Sequence, residues 1–153
     1  MPPVLSPHFT IESESPIRAI DGNLKLQGWI AGVATHGVLV RLRLGETLIF
    51  ECAAGISRPD VATAFPGLVG ADNSGFKLET LIPPGLHLGT LEYQCGGIGE
   101  WVPFHCLSVA ADLAPLRAHL ESCGPHGDPS APWFLHGWCF HPHFAIESLS
   151  VEF

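Results

Sequence analysis

Four residues that often bind metal ions crowd into a short segment towards the end of the sequence. They are His136, Cys139, His141 and His143. Imidazole and thiolate groups suit zinc or copper. If residues 135–141 form a strand, however, its side chains alternate between two faces, so that His136 points away from Cys139 and His141. Only pairs of ligands could then share an ion, and we expect no metal site here.

Two other arrangements resemble catalytic groups. His105 and Cys106 are adjacent, so in a strand they face opposite ways and cannot hydrogen-bond as nucleophile and base. Asp60 and Asp72 carry carboxylates, but nothing in the sequence places them across a cleft, as acid/base catalysis requires. We therefore expect no catalytic residues, no cofactor and no enzymatic activity. A small metal-binding protein or enzyme that uses histidine and cysteine is kept as an alternative.

The tryptophans are the candidates for stacking on sugars. Trp29 and Trp138 each follow a glycine within an apolar segment, and we expect them to pack in a core, because burial of an indole is strongly stabilising. Trp101 and Trp133 neighbour polar or proline-rich loops. They are the candidate carbohydrate-binding residues, and a carbohydrate-binding module that uses exposed tryptophan is a second alternative.

The composition narrows the class of protein. Of the 153 residues, 46% are hydrophobic and 14% are charged, which is enough apolar material for a packed core. The 17 glycines and 14 prolines separate short apolar runs, a pattern that favours many short strands. A formal net charge of −8 argues against nucleic acid and anionic membrane surfaces as partners.

The sequence also carries information on localisation. No apolar run approaches the roughly 18 residues of a membrane span. Residues 1–15 have acidic Glu12 and Glu14 but no basic segment, unlike a secretory signal. The 5 cysteines are odd in number and lack paired spacing. Together these features predict free thiols and a cytoplasmic protein.

Alternation of apolar and polar residues predicts an all-β protein of about seven strands. The predicted strands cover residues 9–13, 24–30, 38–44, 47–53, 76–80, 91–95 and 101–107. The predicted core consists of Leu24, Leu26, Val38, Val40, Leu42, Phe50, Phe76, Leu78, Leu91 and Tyr93. Between strands, the spacing of Ser57 and Asp60 resembles a capping box. It predicts a short helical turn over residues 57–65, with Asp60 as a cap and as an ionic partner of Arg58 or Arg41.

The sequence repeats itself in part after 109 residues. Leu26-Gln27-Gly28-Trp29-Ile30 returns as Leu135-His136-Gly137-Trp138-Cys139, and residues 40–44 match residues 149–153. Such a spacing is the size of one small β-domain. We predict a domain over residues 8–107, a linker over 108–132, and a partial second repeat of strands only over 133–153. Residues 110–120 form either a short helix or the first strand of the second unit.

Several motifs occur in an order that resembles one known family. They include Gly28-Trp29, Arg58-Pro59-Asp60-Val61, Ser74-Gly75-Phe76 and Pro84-Gly85-Leu86-His87. This order is similar to that of immunoglobulin-like accessory domains, often repeated, beside bacterial glycosyltransferase and methyltransferase domains of polysaccharide assembly.

The resemblance covers residues 8–107 and, in part, 116–153. It implies an immunoglobulin-like β-sandwich with a non-catalytic interaction or spacer function in carbohydrate assembly. Arg58, Pro59, Asp60, Gly75 and Phe76 are its structural motif. An adjoining transferase domain or a carbohydrate would be its partner.

The partial repeat predicts association. Two strands alone are at best marginally stable in water, and their unpaired edges invite further pairing. We therefore expect residues 133–153 to dock on another copy of the chain, giving a homodimer by strand exchange or edge pairing. Docking on the first domain is the alternative.

Overall fold

A computed structural model of the chain describes residues 6–13, 15–125, 133–142 and 144–150. Strands dominate it, which confirms the prediction of an all-β protein. The strands are β1 (His8–Ile11), β2 (Ile17–Ala19), β3 (Asn23–Ala31), β4 (Val38–Leu44), β5 (Leu48–Ala53), β6 (Gly75–Leu81), β7 (Gly85–Cys95), β8 (Val102–Ala111), β9 (Arg117–Pro125) and β10 (Trp133–Phe140). One helix, α1 (Pro59–Ala64), and one 3-10 turn, Ala71–Asn73, lie between β5 and β6.

The strands form three sheets. Three strands pair in the order β1-β3-β6, five pair in the order β2-β8-β7-β4-β5, and β9 pairs with β10. The β2–β8 pairing is parallel, and the others are antiparallel. The short connections after β4 and β7 suit antiparallel neighbours, since such strands can be joined by tight turns.

The two larger sheets bury one shared hydrophobic core. The pattern is clearest in β4, where Val38, Val40, Leu42 and Leu44 are buried and the residues between them are half-buried. All of the predicted core residues are buried except Phe50, which is half-buried and packs against the same core. A period of two thus places one face of β4 in the interior.

The helix begins without the predicted capping box. Arg58, rather than Ser57 or Asp60, occupies the N-cap position, and its side chain makes no capping hydrogen bond. Pro59 opens the helix, where its missing N–H has no intrahelical partner to lose. Asp60 lies in the first turn, and its carboxylate accepts hydrogen bonds from Arg58. The predicted ion pair is therefore present.

The sequence analysis placed no strand at β2, and it left helix and strand open where β9 begins. Proline and an Asp-Gly turn flank β2, which at three residues is too short for alternation to show. β8 continues to Ala111, and β9 lies within the stretch predicted as linker. Within residues 110–120, where the sequence left helix and strand open, the structure shows strand at residues 110–111 and 117–120 and no helix.

Candidate functional site

The Arg58 side chain joins two elements of the fold. The Arg58 side chain donates to Glu12, beyond β1, with 2.6 Å between Nη1 and Oε1. It also donates two hydrogen bonds to the Asp60 carboxylate in a bidentate pair, at 2.9 Å from Nε to Oδ1 and 2.6 Å from Nη2 to Oδ2. These bonds, with smaller contributions from backbone N–H groups, lower the pKa of Asp60 to about 2. Both partners of Arg58 belong to the chain itself, so the motif ties α1 to β1.

Gly75 and Phe76 complete the predicted motif from β6. Gly75 bridges Ile56, and a Cβ on Gly75 would lie 2.9 Å from the Ile56 carbonyl oxygen and 3.1 Å from Cγ of Arg58. Glycine therefore lets the segment before α1 approach β6 closely. Phe76 is 1% exposed within the core. The contacts of both residues are those of packing.

Trp101 is the candidate sugar platform that the structure describes. The guanidinium carbon of Arg41 lies 4.3 Å from the centroid of its ring, a cation–π contact. Arg41 and Arg43 both pair with the buried carboxylate of Glu92 on the adjacent strand β7. One face of the Trp101 ring is therefore occupied by protein. The side chain of Trp133, the other candidate, lies outside the described residues.

The histidine and cysteine segment has internal partners. His136 Nδ1 lies 3.1 Å from Oε2 of Glu121 on the paired strand. His141 Nε2 lies 2.8 Å from the Ala114 carbonyl oxygen, and its Nδ1 accepts the Phe144 N–H at 3.1 Å, so the Nε2–H tautomer satisfies both bonds. His143 lies outside the described residues. Within the described part of the chain, no three histidine, cysteine or acidic side chains converge as a metal site would require.

The described thiols are free, and one of them, Cys52, is half-buried. Cys52, Cys95, Cys106 and Cys139 form no disulfide. Burial raises the pKa of the Cys52 thiol to about 11, which keeps it in the weakly nucleophilic thiol form. The ring of His105, next to Cys106, packs against Phe9 with 5.4 Å between centroids. The side chain of Cys123 lies outside the described residues.

The surface with the most unusual character is the C-terminal strand pair, the name used here for β9 and β10. Apolar side chains are exposed on both of its faces, whereas an ordinary antiparallel pair buries one face. The exposed fractions are 54% for Leu120, 43% for Leu135, 52% for Trp138 and 52% for Phe140. The prediction that Trp138 packs in a core is therefore wrong, whereas Trp29 is 7% exposed, as predicted.

The C-terminal strand pair has the same pairing register as β1 with β3, displaced by 109 residues. The β1–β3 partners are His8 with Ala31, Phe9 with Ile30, Thr10 with Trp29, and Ile11 with Gly28. The β9–β10 partners are Arg117 with Phe140, Ala118 with Cys139, His119 with Trp138, and Leu120 with Gly137.

The repeated glycine has the same steric role in both pairs. A Cβ on Gly28 would overlap the carbonyl oxygen of Thr10, and a Cβ on Gly137 would overlap that of His119. The neighbouring strand crosses so closely at this point that no side chain fits. The glycine of the repeated Gly-Trp dipeptide is thus explained by backbone approach.

The two pairs differ in what covers them. Trp29 packs in a cluster with Val61 of α1, and its ring centroid lies 5.6 Å from that of Phe65. Trp138 packs against His119 of β9, with 5.9 Å between ring centroids. An open groove of about 360 Å³ runs beside it, lined mainly by β9, β10 and Leu149. This groove and the exposed ring form the candidate site.

Sequence reasoning found only half of this site. The Gly-Trp repeat located β10, but residues 117–120 (Arg-Ala-His-Leu) share no identity with residues 8–11 (His-Phe-Thr-Ile). The available signal in β9 was the alternation of Ala118 and Leu120 with polar residues. It becomes informative only when the register is known.

No helix among the described residues is long and apolar enough to cross a bilayer. Comparisons of the chain with protein-family models, with curated proteins and with solved structures find no match.

Proposed function

We propose that the chain is a non-catalytic interaction module and that its binding surface is the C-terminal strand pair. The observation that carries the proposal is the exposure of apolar residues on both faces of this pair. Leu26 is 0% exposed in β3, whereas the corresponding Leu135 is 43% exposed. Exposed clusters of large apolar side chains mark interaction surfaces.

We propose further that residues 8–111 are an immunoglobulin-like sandwich. The strand orders support this, since β1-β3-β6 corresponds to A-B-E and β8-β7-β4-β5 corresponds to G-F-C-C′ of that fold. Helix α1 takes the place of strand D. The chain departs from antibody domains in that β4 carries no tryptophan and Cys95 is a free thiol.

The wider setting follows from the sequence resemblance alone. We propose a bacterial accessory module that works beside carbohydrate-assembly enzymes, as an interaction or spacer unit. The free thiols support a reducing compartment such as the cytoplasm. We also propose that the C-terminal strand pair forms the first strands of a second module. Its pairing register and the close approach at Gly137 support this interpretation.

Self-association is the form of binding that the purified chain can show. We expect sedimentation velocity to detect dimers that increase with protein concentration. Replacement of two exposed residues of the strand pair, Leu135→Ser with Trp138→Ser, should abolish them. The control is Leu86→Ser with Leu88→Ser, which removes two apolar side chains, 73% and 76% exposed, from β7.

The control variant should associate as the unaltered chain does. Dimers that persist in the Leu135→Ser/Trp138→Ser variant would contradict the assignment of this surface. A chain that stays monomeric at every concentration would contradict self-association itself.

A further inference from the structure

We propose that the C-terminal strand pair binds a polypeptide segment built like residues 56–81 of this chain. Such a segment is a short helix followed by a strand that begins with glycine and an aromatic residue. The inference rests on the proposed function, in which this pair is the binding surface, and adds the identity of what binds. The same chain shows how such a segment binds, because residues 56–81 pair with β3 and cover Trp29 in the first module.

The first requirement is an open strand edge. β3 is hydrogen-bonded on both sides, to β1 and to β6, whereas β10 pairs only with β9 within the described residues. An unpaired edge accepts an added strand. β3 pairs with β6 as Trp29 opposite Gly75, Gly28 opposite Phe76 and Leu26 opposite Leu78. The same register on β10 places a glycine opposite Trp138 and an aromatic residue opposite Gly137.

The second requirement is that an aromatic ring can approach the repeated glycine closely. A Cβ on Gly28 would meet β1 on one side and, at 3.3 Å, the ring of Phe76 on the other. At Gly137, the three atoms nearest to such a Cβ all belong to His119 and Leu120 of β9. β9 therefore supplies at Gly137 the contact that β1 supplies at Gly28. The contact that Phe76 makes with Gly28 has no counterpart among these atoms, and an aromatic side chain from an added strand would supply it.

The third requirement is a cover for the tryptophan. Trp29 is buried by an apolar residue of α1, Val61, and by Phe65 four positions later. Trp138 occupies the corresponding position in β10 and is 52% exposed. The partner helix therefore carries two apolar residues four apart, which lie on one face of a helix. Phe140 stands where β3 has the small Ala31, so this helix sits farther from the strand than α1 does.

The test extends the full chain after Phe153 with a second copy of its own residues 45–111, because Phe153 corresponds to Leu44 at the 109-residue spacing. Hydrogen exchange of the amides of residues 135–140 and alkylation of Cys139 are mapped by mass spectrometry. Cys139 corresponds to Ile30, which is 2% exposed. We expect both reactions to slow at least about tenfold, because a paired and covered strand reacts only when it opens. Exposed Cys106 is the reference for the reagent.

The matched control is the same extended chain with Val61→Asp and Phe76→Asp in the appended copy alone. These charges remove the helix and strand contacts but keep the length, and both reactions should return to the rates of the unextended chain. Equal rates in all three proteins would overturn the inference. All rates are measured below the concentration at which sedimentation detects dimers, so that the proposed self-association does not itself protect residues 135–140. If dimers persist in the Leu135→Ser/Trp138→Ser variant, the proposed function is contradicted, but the exchange and alkylation rates measured here are unaffected.

Discussion

At the scale of single residues, ion pairs connect separate elements of the fold. Arg58 reaches a carboxylate on each side, Glu12 and Asp60, and its side chain is only 18% exposed. Glu92, buried in the opposite sheet, is matched by Arg41 and Arg43. Buried or half-buried charges of this kind are costly unless they are paired. Each of these charged groups therefore has a partner within the chain.

The Arg58–Asp60 pair predicts a dependence of stability on acid. Hydrogen bonds from Arg58 lower the pKa of Asp60 to about 2 in the folded protein, against an ordinary value of about 3.9 when unfolded. The contribution of a carboxylate with a lowered pKa is present above the unfolded pKa and is lost as pH falls through the folded one. Asp60→Asn should therefore lower the melting temperature at pH 6 and leave it nearly unchanged below pH 2.

Thermal unfolding followed by circular dichroism across this pH range checks the prediction. The control is Asp60→Ala, which should behave like Asp60→Asn, because both lose the charge. A difference between the variants and the unaltered chain that is constant from pH 6 to pH 2 would show that the charge of Asp60 is not what matters.

At the scale of elements, α1 matters as the cover of Trp29. Val61 is 3% exposed, and Val61→Ala should reduce the free energy of unfolding by about 2 kcal/mol, because the deletion leaves a cavity beside the indole. Val69→Ala is the matched control, since Val69 is 48% exposed and its truncation should have little effect. Urea unfolding monitored by tryptophan fluorescence measures both. Equal losses in the two variants would mean that α1 is not the cover.

The elements that could be predicted from the sequence are those with long alternation and one buried face. β4 shows this well, because seven residues keep period two between turns. β2 was missed because its three residues pair with β8, whose position depends on the whole sheet. The exposure of Trp138 could not be predicted either, because the same Gly-Trp dipeptide is buried in β3 by residues far away in sequence. Local pattern places a residue in a strand, and tertiary packing decides what covers it.

At the scale of the whole molecule, we expect the core and the C-terminal strand pair to be separable. The core comes from both larger sheets, and its residues lie between Ile17 and Ala111. One described hydrogen bond from beyond Leu116 back to this part joins His141 to the Ala114 carbonyl. A chain that ends at Leu116 keeps every buried residue of this core and should therefore melt within about 4 °C of the full chain, since the loss of one hydrogen bond costs about 1 kcal/mol. It should also sediment as a monomer.

Calorimetry and sedimentation of the two chains decide the point. A large drop in melting temperature on removal of residues 117–153 would mean that the strand pair packs on the first module. Dimers in the shortened chain would place the self-association surface elsewhere, and the exposed Leu86 and Leu88 on β7 would become the next surface to examine.

The parallel pairing of β2 with β8 has a mechanical consequence. Tension applied through the two ends of residues 17–111 pulls β2 and β8 in opposite directions along their lengths, because the strands run the same way. Their hydrogen bonds, and the Arg18–Asp112 ion pair beside them, are then loaded together rather than opened one at a time. A unit closed in this way resists stretching, a property that the proposed spacer role would require.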